Sequence, residues 1–223
     1  MSHPPPLTAA GPGTVYGVAL NDPADLAALG DALTQAPYKA APRAPVLYIK
    51  PRNTWAASGA AIVVPAGSAA LRMGAALGVV IARTACRVSE AEALAHVAGY
   101  RALNDVAVPH ASWYRPSVPC LARDGFCVLG GMVAADAVAD PDALPFTVTL
   151  DGEVVQQSTT AGRVRGVARL IADLSEFMTL HPGDIVMTGL AHNPPQARAG
   201  QRVAIHFDGL PPIENTLVAE VAA

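Results

Sequence analysis

The run AALGVVIA, Ala75 to Ala82, constrains the fold more than any other stretch. It carries no polar side chain and sets β-branched Val79, Val80 and Ile81 side by side, the pattern of a strand covered on both faces. Such a strand needs packed layers on either side, so the rest of the chain has to supply a sheet and its cover. Ser89 to Glu92 then offers an S-x-x-E capping box. The spacing predicts a helix from there with Leu94, Val97 and Ala98 on one face, ended by Gly99. Asn104-Asp105 follows and reads as a short acidic loop held in place by the elements before it.

Upstream, MSHPPPLTAAGPG is rich in proline, glycine and small residues and has neither the charge nor the apolar core of a signal peptide, so it reads as a flexible tail. VYGVAL is a short strand. Asn21-Asp22-Pro23 suits a helix start, and Leu26, Leu29 and Leu33 predict an amphipathic helix over Asp25 to Leu33. Val46 to Ile49 is a β-rich run that ends in Lys50-Pro51-Arg52-Asn53-Thr54. Gly59 to Pro65 is another strand, closed by a turn over Pro65 to Ser68.

Beyond Phe126 the pattern is strongly β. CVLGGMVAA and FTVTLDGEVVQQSTTA read as strands, the latter a hairpin about Asp151-Gly152. Val167, Leu170, Ile171, Leu174 and Phe177 share one helical face, and Arg202 to Phe207 and PPIENTLVAEV close the chain as strands.

With hydrophobic residues at 52% and charged residues at 15% of 223 residues, the chain has ample material for a core. No apolar run approaches transmembrane length. A net charge of −3 without a basic cluster speaks against nucleic acid. Cys86, Cys120 and Cys127 are odd in number and lack a C-x-x-C pair, which suits a reducing cytoplasm.

Several side chains admit two readings from the residues alone. Lys50 and Arg52 at a strand end suit the carboxylates of an acidic substrate, or form a solvated basic turn. His110 is either an acid/base or ordinary surface. The planar fork of Arg115 or Arg123 suits a carboxylate, while Arg123-Asp124 is equally an internal pair. Gln157 and Thr160 fit substrate hydrogen bonds or a structural strand edge, and His192 is either a polar replacement in a pocket loop or an ordinary loop residue.

The phrases VAGYRALNDV, YIKPRNT and LSEFMTLHPGDIVMTG, with YGVALN, APYKAAP and ARDGFC, occur in the order found in the fumarylacetoacetate hydrolase family, which the chain resembles from Tyr16 to Val221. Within it the resemblance is to the N-terminal half of homoprotocatechuate (4-hydroxyphenylacetate) catabolic members, decarboxylases of 5-oxopent-3-ene-1,2,5-tricarboxylate and isomerases of 2-hydroxyhepta-2,4-diene-1,7-dioate. The resemblance implies a mainly β (α+β) fold, a mixed β-roll with few helices. Residues 1–13 are then a tail, 14–45 a small N-terminal α/β portion and 46–223 a catalytic-type domain. It also implies a dimer, homomeric or with a homologous metal-bearing subunit, and a small di- or tricarboxylate substrate.

The family's divalent cation, Mg, Mn or Ca, sits on an E-x-E pair plus the aspartate of the N-D pair. Here Gly74 and Ala76 replace the glutamates and Leu121 replaces a family lysine, leaving Asp105, so the cation is expected to be weakly held or absent. The resemblance assigns catalysis through an enolate-like intermediate to Lys50 and Asp105. It gives substrate contacts to Arg52, Asn53, Arg115, Arg123, Asp124, Gln157, Thr188 and Gly189. A non-catalytic partner subunit and a metal-dependent acylpyruvate-type hydrolase are the alternative expectations.

Overall fold

The computed structural model describes residues 13–110, 114 and 117–221. Its strands are β1 (Val15–Ala19), β2 (Val46–Lys50), β3 (Trp55–Ala57), β4 (Ile62–Val64), β5 (Leu71–Arg72), β6 (Ala75–Ile81) and β7 (Val97–Asp105). The second half adds β8 (Cys127–Ala134), β9 (Pro145–Leu150), β10 (Glu153–Thr159), β11 (Ile185–Met187), β12 (Gln196–Ala197), β13 (Arg202–Phe207) and β14 (Ile213–Ala219). Four short helices complete the described residues: α1 (Pro23–Leu29), α2 (Glu90–Ala93), α3 (Val118–Leu121) and α4 (Val167–Ser175). The fold is mainly β with few helices, as the sequence leads one to expect.

A seven-stranded mixed sheet runs β2-β1-β11-β6-β7-β8-β3, beside a five-stranded sheet β10-β9-β13-β14-β4 and the pair β12-β5. β2 and β3 stand at opposite ends of the large sheet, yet only the 3₁₀ turn Arg52–Thr54 joins them. Flat, seven strands would hold their outer members about 29 Å apart, whereas the chain from Lys50 to Trp55 reaches about 18 Å. The sheet therefore has to curl, and the indole of Trp55 donates to the Lys50 carbonyl at 3.1 Å across the closure.

Alternation along the strands gives the curled sheet two apolar faces. Leu77, Val79 and Ile81 of β6 join Phe146, Val148, Ile205 and Phe207 of the smaller sheet and Leu170, Ile171 and Leu174 of α4 in the main core. Ala76 and Val80 face the other way, with Leu103, Cys127, Ile185 and Met187. Every β6 side chain is buried, as a strand covered on both faces requires. The Asp151-Gly152 turn has positive φ at both residues, 53° and 90°, matching the twist of the hairpin it closes.

Several local expectations are corrected. The helix begun at Ser89 ends at Ala93, followed by a 3₁₀ turn Leu94–His96 and then β7. Pairing of β7 with both β6 and β8 outweighs the weak helical spacing of Val97 and Ala98; Gly99 sits so close to β8 that a Cβ there would meet the Val133 carbonyl oxygen at 1.9 Å. The Ser89 hydroxyl donates to the Glu92 carboxylate at 2.7 Å instead of capping a backbone N–H, and lowers the carboxyl pKa. Asn104 and Asp105 are not a loop but the fully buried end of β7. Phe177 lies past the end of α4 and is 66% exposed. The predicted helix after Asp22 is α1 plus a 3₁₀ turn, Gly30–Leu33, and neither buries a residue completely. β1, from the small N-terminal portion, lies between β2 and β11 inside the large sheet. The tail residues 1–12 are outside the described residues, and among those described no helix is long and apolar enough to cross a membrane.

A candidate active site around Asp105

β7 brings Asp105 out on the concave face of the roll, the face of Leu103 and Cys127. From β2 at the sheet's end, Lys50 and Tyr48 project to the same face because residues two apart share a side. The Lys50 Nζ lies 2.6 Å from Asp105 Oδ1. It also donates to the carbonyl oxygens of Val106 at 2.9 Å and Leu121 at 2.8 Å. Two backbone carbonyls thus take ammonium protons while the Asp105 carboxylate supplies the opposite charge. The Tyr48 hydroxyl donates to Asp105 Oδ2 at 2.5 Å, and Arg72 Nη2 stands 3.7 Å from the same oxygen.

Lys50 and Asp105 are both 0% exposed. A buried charge survives only when paired and hydrogen-bonded, and this pair meets both conditions. The same burial pushes the Tyr48 phenol well above its ordinary pKa, with the Asp105 charge adding to it. It also pushes the Cys127 thiol, opposite Asp105 in the sheet, up to about 12.

The residues around Asp105 do not fit the family's cation. Hard divalent ions take six or more oxygen ligands, and both Asp105 oxygens already face cationic or hydroxyl donors. Ala76 is buried in the concave apolar cluster. A Cβ on Gly74 would lie 2.7 Å from the Asp105 carbonyl oxygen and 2.8 Å from Leu190 Cδ1. Among the described residues no three His, Cys, Asp or Glu side chains gather as a metal group.

The other expected residues spread outward. Arg52 is exposed beyond β2. Asn53 donates to the Ala122 carbonyl at 3.0 Å and to the Asp124 carboxylate at 2.8 Å. Arg123 binds the Pro119 carbonyl rather than Asp124, and the two line a cavity of about 390 Å³ with Phe126 and Glu220. Gln157 is exposed on β10, whereas its neighbour Gln156 reaches the His192 carbonyl at 3.1 Å. Thr160 serves structure, bonding Pro141 and Leu144. Arg115 lies outside the described residues.

Thr188 and Gly189 open a loop that is strapped to the start of α1. Asn21 donates to the Thr188 carbonyl at 2.8 Å. Gly189, at φ 98°, leaves room for Asn21 and Val18 beside it. Arg163 binds both the Asp22 carboxylate at 2.6 Å and the Leu190 carbonyl at 2.7 Å. His192 Nδ1 lies 2.7 Å from Asp25 Oδ1. Tyr48, Arg72 and Arg163 were not singled out from sequence, Asn21 was read only as part of a helix start, and Leu190 was given no role. Tyr48 alone carried a signal, its i−2 position to Lys50 on one strand.

The family described as Fumarylacetoacetate (FAA) hydrolase C-terminal matches residues 14–218. A 4-hydroxyphenylacetate degradation bifunctional isomerase/decarboxylase from Escherichia coli is 39% identical over 208 residues, 93% of this chain and 48% of the relative. The chain thus spans about half the length of the curated relatives it matches. The structure of a 5-carboxymethyl-2-hydroxymuconate delta-isomerase from Mycobacterium smegmatis superposes with TM-score 0.77 at 26% identity, covering 93% of this chain and 77% of that one. Fumarylpyruvate hydrolase from Pseudomonas aeruginosa, in complex with Mn²⁺ and pyruvate, shares the fold with TM-score 0.80 at 24% identity, covering 93% and 90%. By the match over nearly all its length and the curled sheet it shares with these structures, the chain belongs to the fumarylacetoacetate hydrolase family.

Proposed function

We propose that this chain is one half of a two-module isomerase/decarboxylase of 4-hydroxyphenylacetate catabolism, working on a small di- or tricarboxylate oxo or hydroxy acid beside a homologous metal-bearing module. The coverage carries this reading: 93% of the chain accounts for 48% of a bifunctional relative, which holds as much sequence again. The site supports it. Enolate chemistry asks for an electrostatic acceptor at oxygen and a proton donor at carbon. The Lys50 ammonium is already committed to Asp105 and two backbone carbonyls, and Asp105 to Lys50 and Tyr48, so both are engaged with protein before a substrate arrives. In this reading the pair is a rigid floor, and among the described residues the exposed Arg52 and Arg123 are groups that could meet substrate carboxylates. Three free cysteines agree with a cytoplasmic setting.

The test is turnover of 2-hydroxyhepta-2,4-diene-1,7-dioate with Mg²⁺, by the chain alone and after addition of the second half of a bifunctional relative. The expected result is no turnover alone, turnover in the mixture, and co-elution of the two in size-exclusion chromatography. Full turnover by the chain alone, persisting in a chelator and lost in Lys50→Met, would overturn the reading and return catalysis to Lys50 and Asp105.

A further inference from the structure

We propose that the Asp105 pocket of this chain is closed to divalent cations, with Lys50 as the standing counter-ion of Asp105 and Leu190 as the plug over it. Charge supports the first half. Two cations, Lys50 and Arg72, face the one carboxylate. A divalent ion would enter there as a third cation.

Space supports the second half. The two methyl carbons of Leu190 come within 2.8 and 2.9 Å of where a Gly74 Cβ would stand, so Leu190 fills the volume that a side chain at 74 would need. Leu190 is packed against the concave apolar cluster. Its backbone is held by Arg163 on its carbonyl, and the loop is held two residues earlier by Asn21 on the Thr188 carbonyl. The plug is therefore fixed from outside and does not depend on the pocket it covers. Gly74 is tied to Asp105 by the backbone bond from the Asp105 N–H to its carbonyl at 2.8 Å.

Manganese tests the proposal on the full chain. Titrated with Mn²⁺ while amide signals are followed by NMR, the protein is expected to keep sharp resonances for Gly74, Asp105 and Leu190 into the millimolar range. Broadening elsewhere leaves the proposal standing; broadening of these three at substoichiometric Mn²⁺ would overturn it, with no variant needed. A thermal cycle tests the plug. Gly74→Ala should lower Tm, and Leu190→Ala added to it should recover part of the loss, although Leu190→Ala alone also lowers Tm by leaving a cavity. If the two losses simply add, Leu190 is not the plug. Neither measurement involves a second module, so this proposal and the two-module reading fail separately.

Discussion

Two carboxylate clusters flank the loop that begins at Thr188, and they differ in what surrounds them. On the inner side, Asp105 is 0% exposed and is met by a lysine, a tyrosine and an arginine from two strands, β2 and β5. On the outer side, Asp22 and Asp25 keep 18% and 21% of their side-chain surface in water while meeting Arg163 and His192. The inner partners are fixed by sheet register and cannot be replaced by solvent. The outer ones sit on a helix start and a loop, where water fills in for a lost partner. The same residue type is thus a structural necessity in one place and an adjustable fastening in the other.

Thiol labelling should show the largest contrast between the sealed and open sides. Cys86 is exposed and should react with a disulfide reagent at once, whereas Cys127, buried opposite Asp105, should wait for unfolding, slower by about a thousandfold or more. Because burial raises its pKa to about 12, Cys127 contributes stability that is complete below its ordinary value near 9 and is lost as pH rises through about 12. A chemical melt repeated from pH 8 to 11 should show that decline, and equal labelling rates for the two thiols would refute the sealed interior.

Lys50→Met strands the buried Asp105 and should cost about 3–5 kcal/mol in urea unfolding. Arg163→Met leaves Asp22 able to rehydrate, so about 1–3 kcal/mol is expected, with the loop from Thr188 more open to proteolysis. His192→Ala removes a partly exposed pair and should cost under about 1 kcal/mol, shrinking further at high salt. An Arg163 loss as large as that of Lys50 would erase the distinction between the clusters.

What the sequence showed was what adjacent residues decide. The β-branched run of β6, the Asp-Gly hairpin and the apolar stripe of α4 are local patterns with one physical outcome. The segment after Ser89 was misread because Leu94, Val97 and Ala98 satisfy a helical stripe over too few turns to resist strand pairing on both sides. The site was legible one residue at a time. Lys50 and Asp105 stand out as charges in apolar runs, but the sheet order β2-β1-β11-β6-β7 that sets them face to face is a non-local fact. Leu190 and Gly74, 116 positions apart by number, carry no chemical signal at all until the loop is seen lying on the strand.

The most direct measurement is a double-mutant cycle on the sealed pair, with urea unfolding of wild type, Lys50→Met, Asp105→Asn and the combined variant. If the pair is a structural clasp, each single change is costly and the combined variant loses much less than their sum, because neither partner is left buried and charged. Additive losses, or single variants as stable as wild type, would contradict that account.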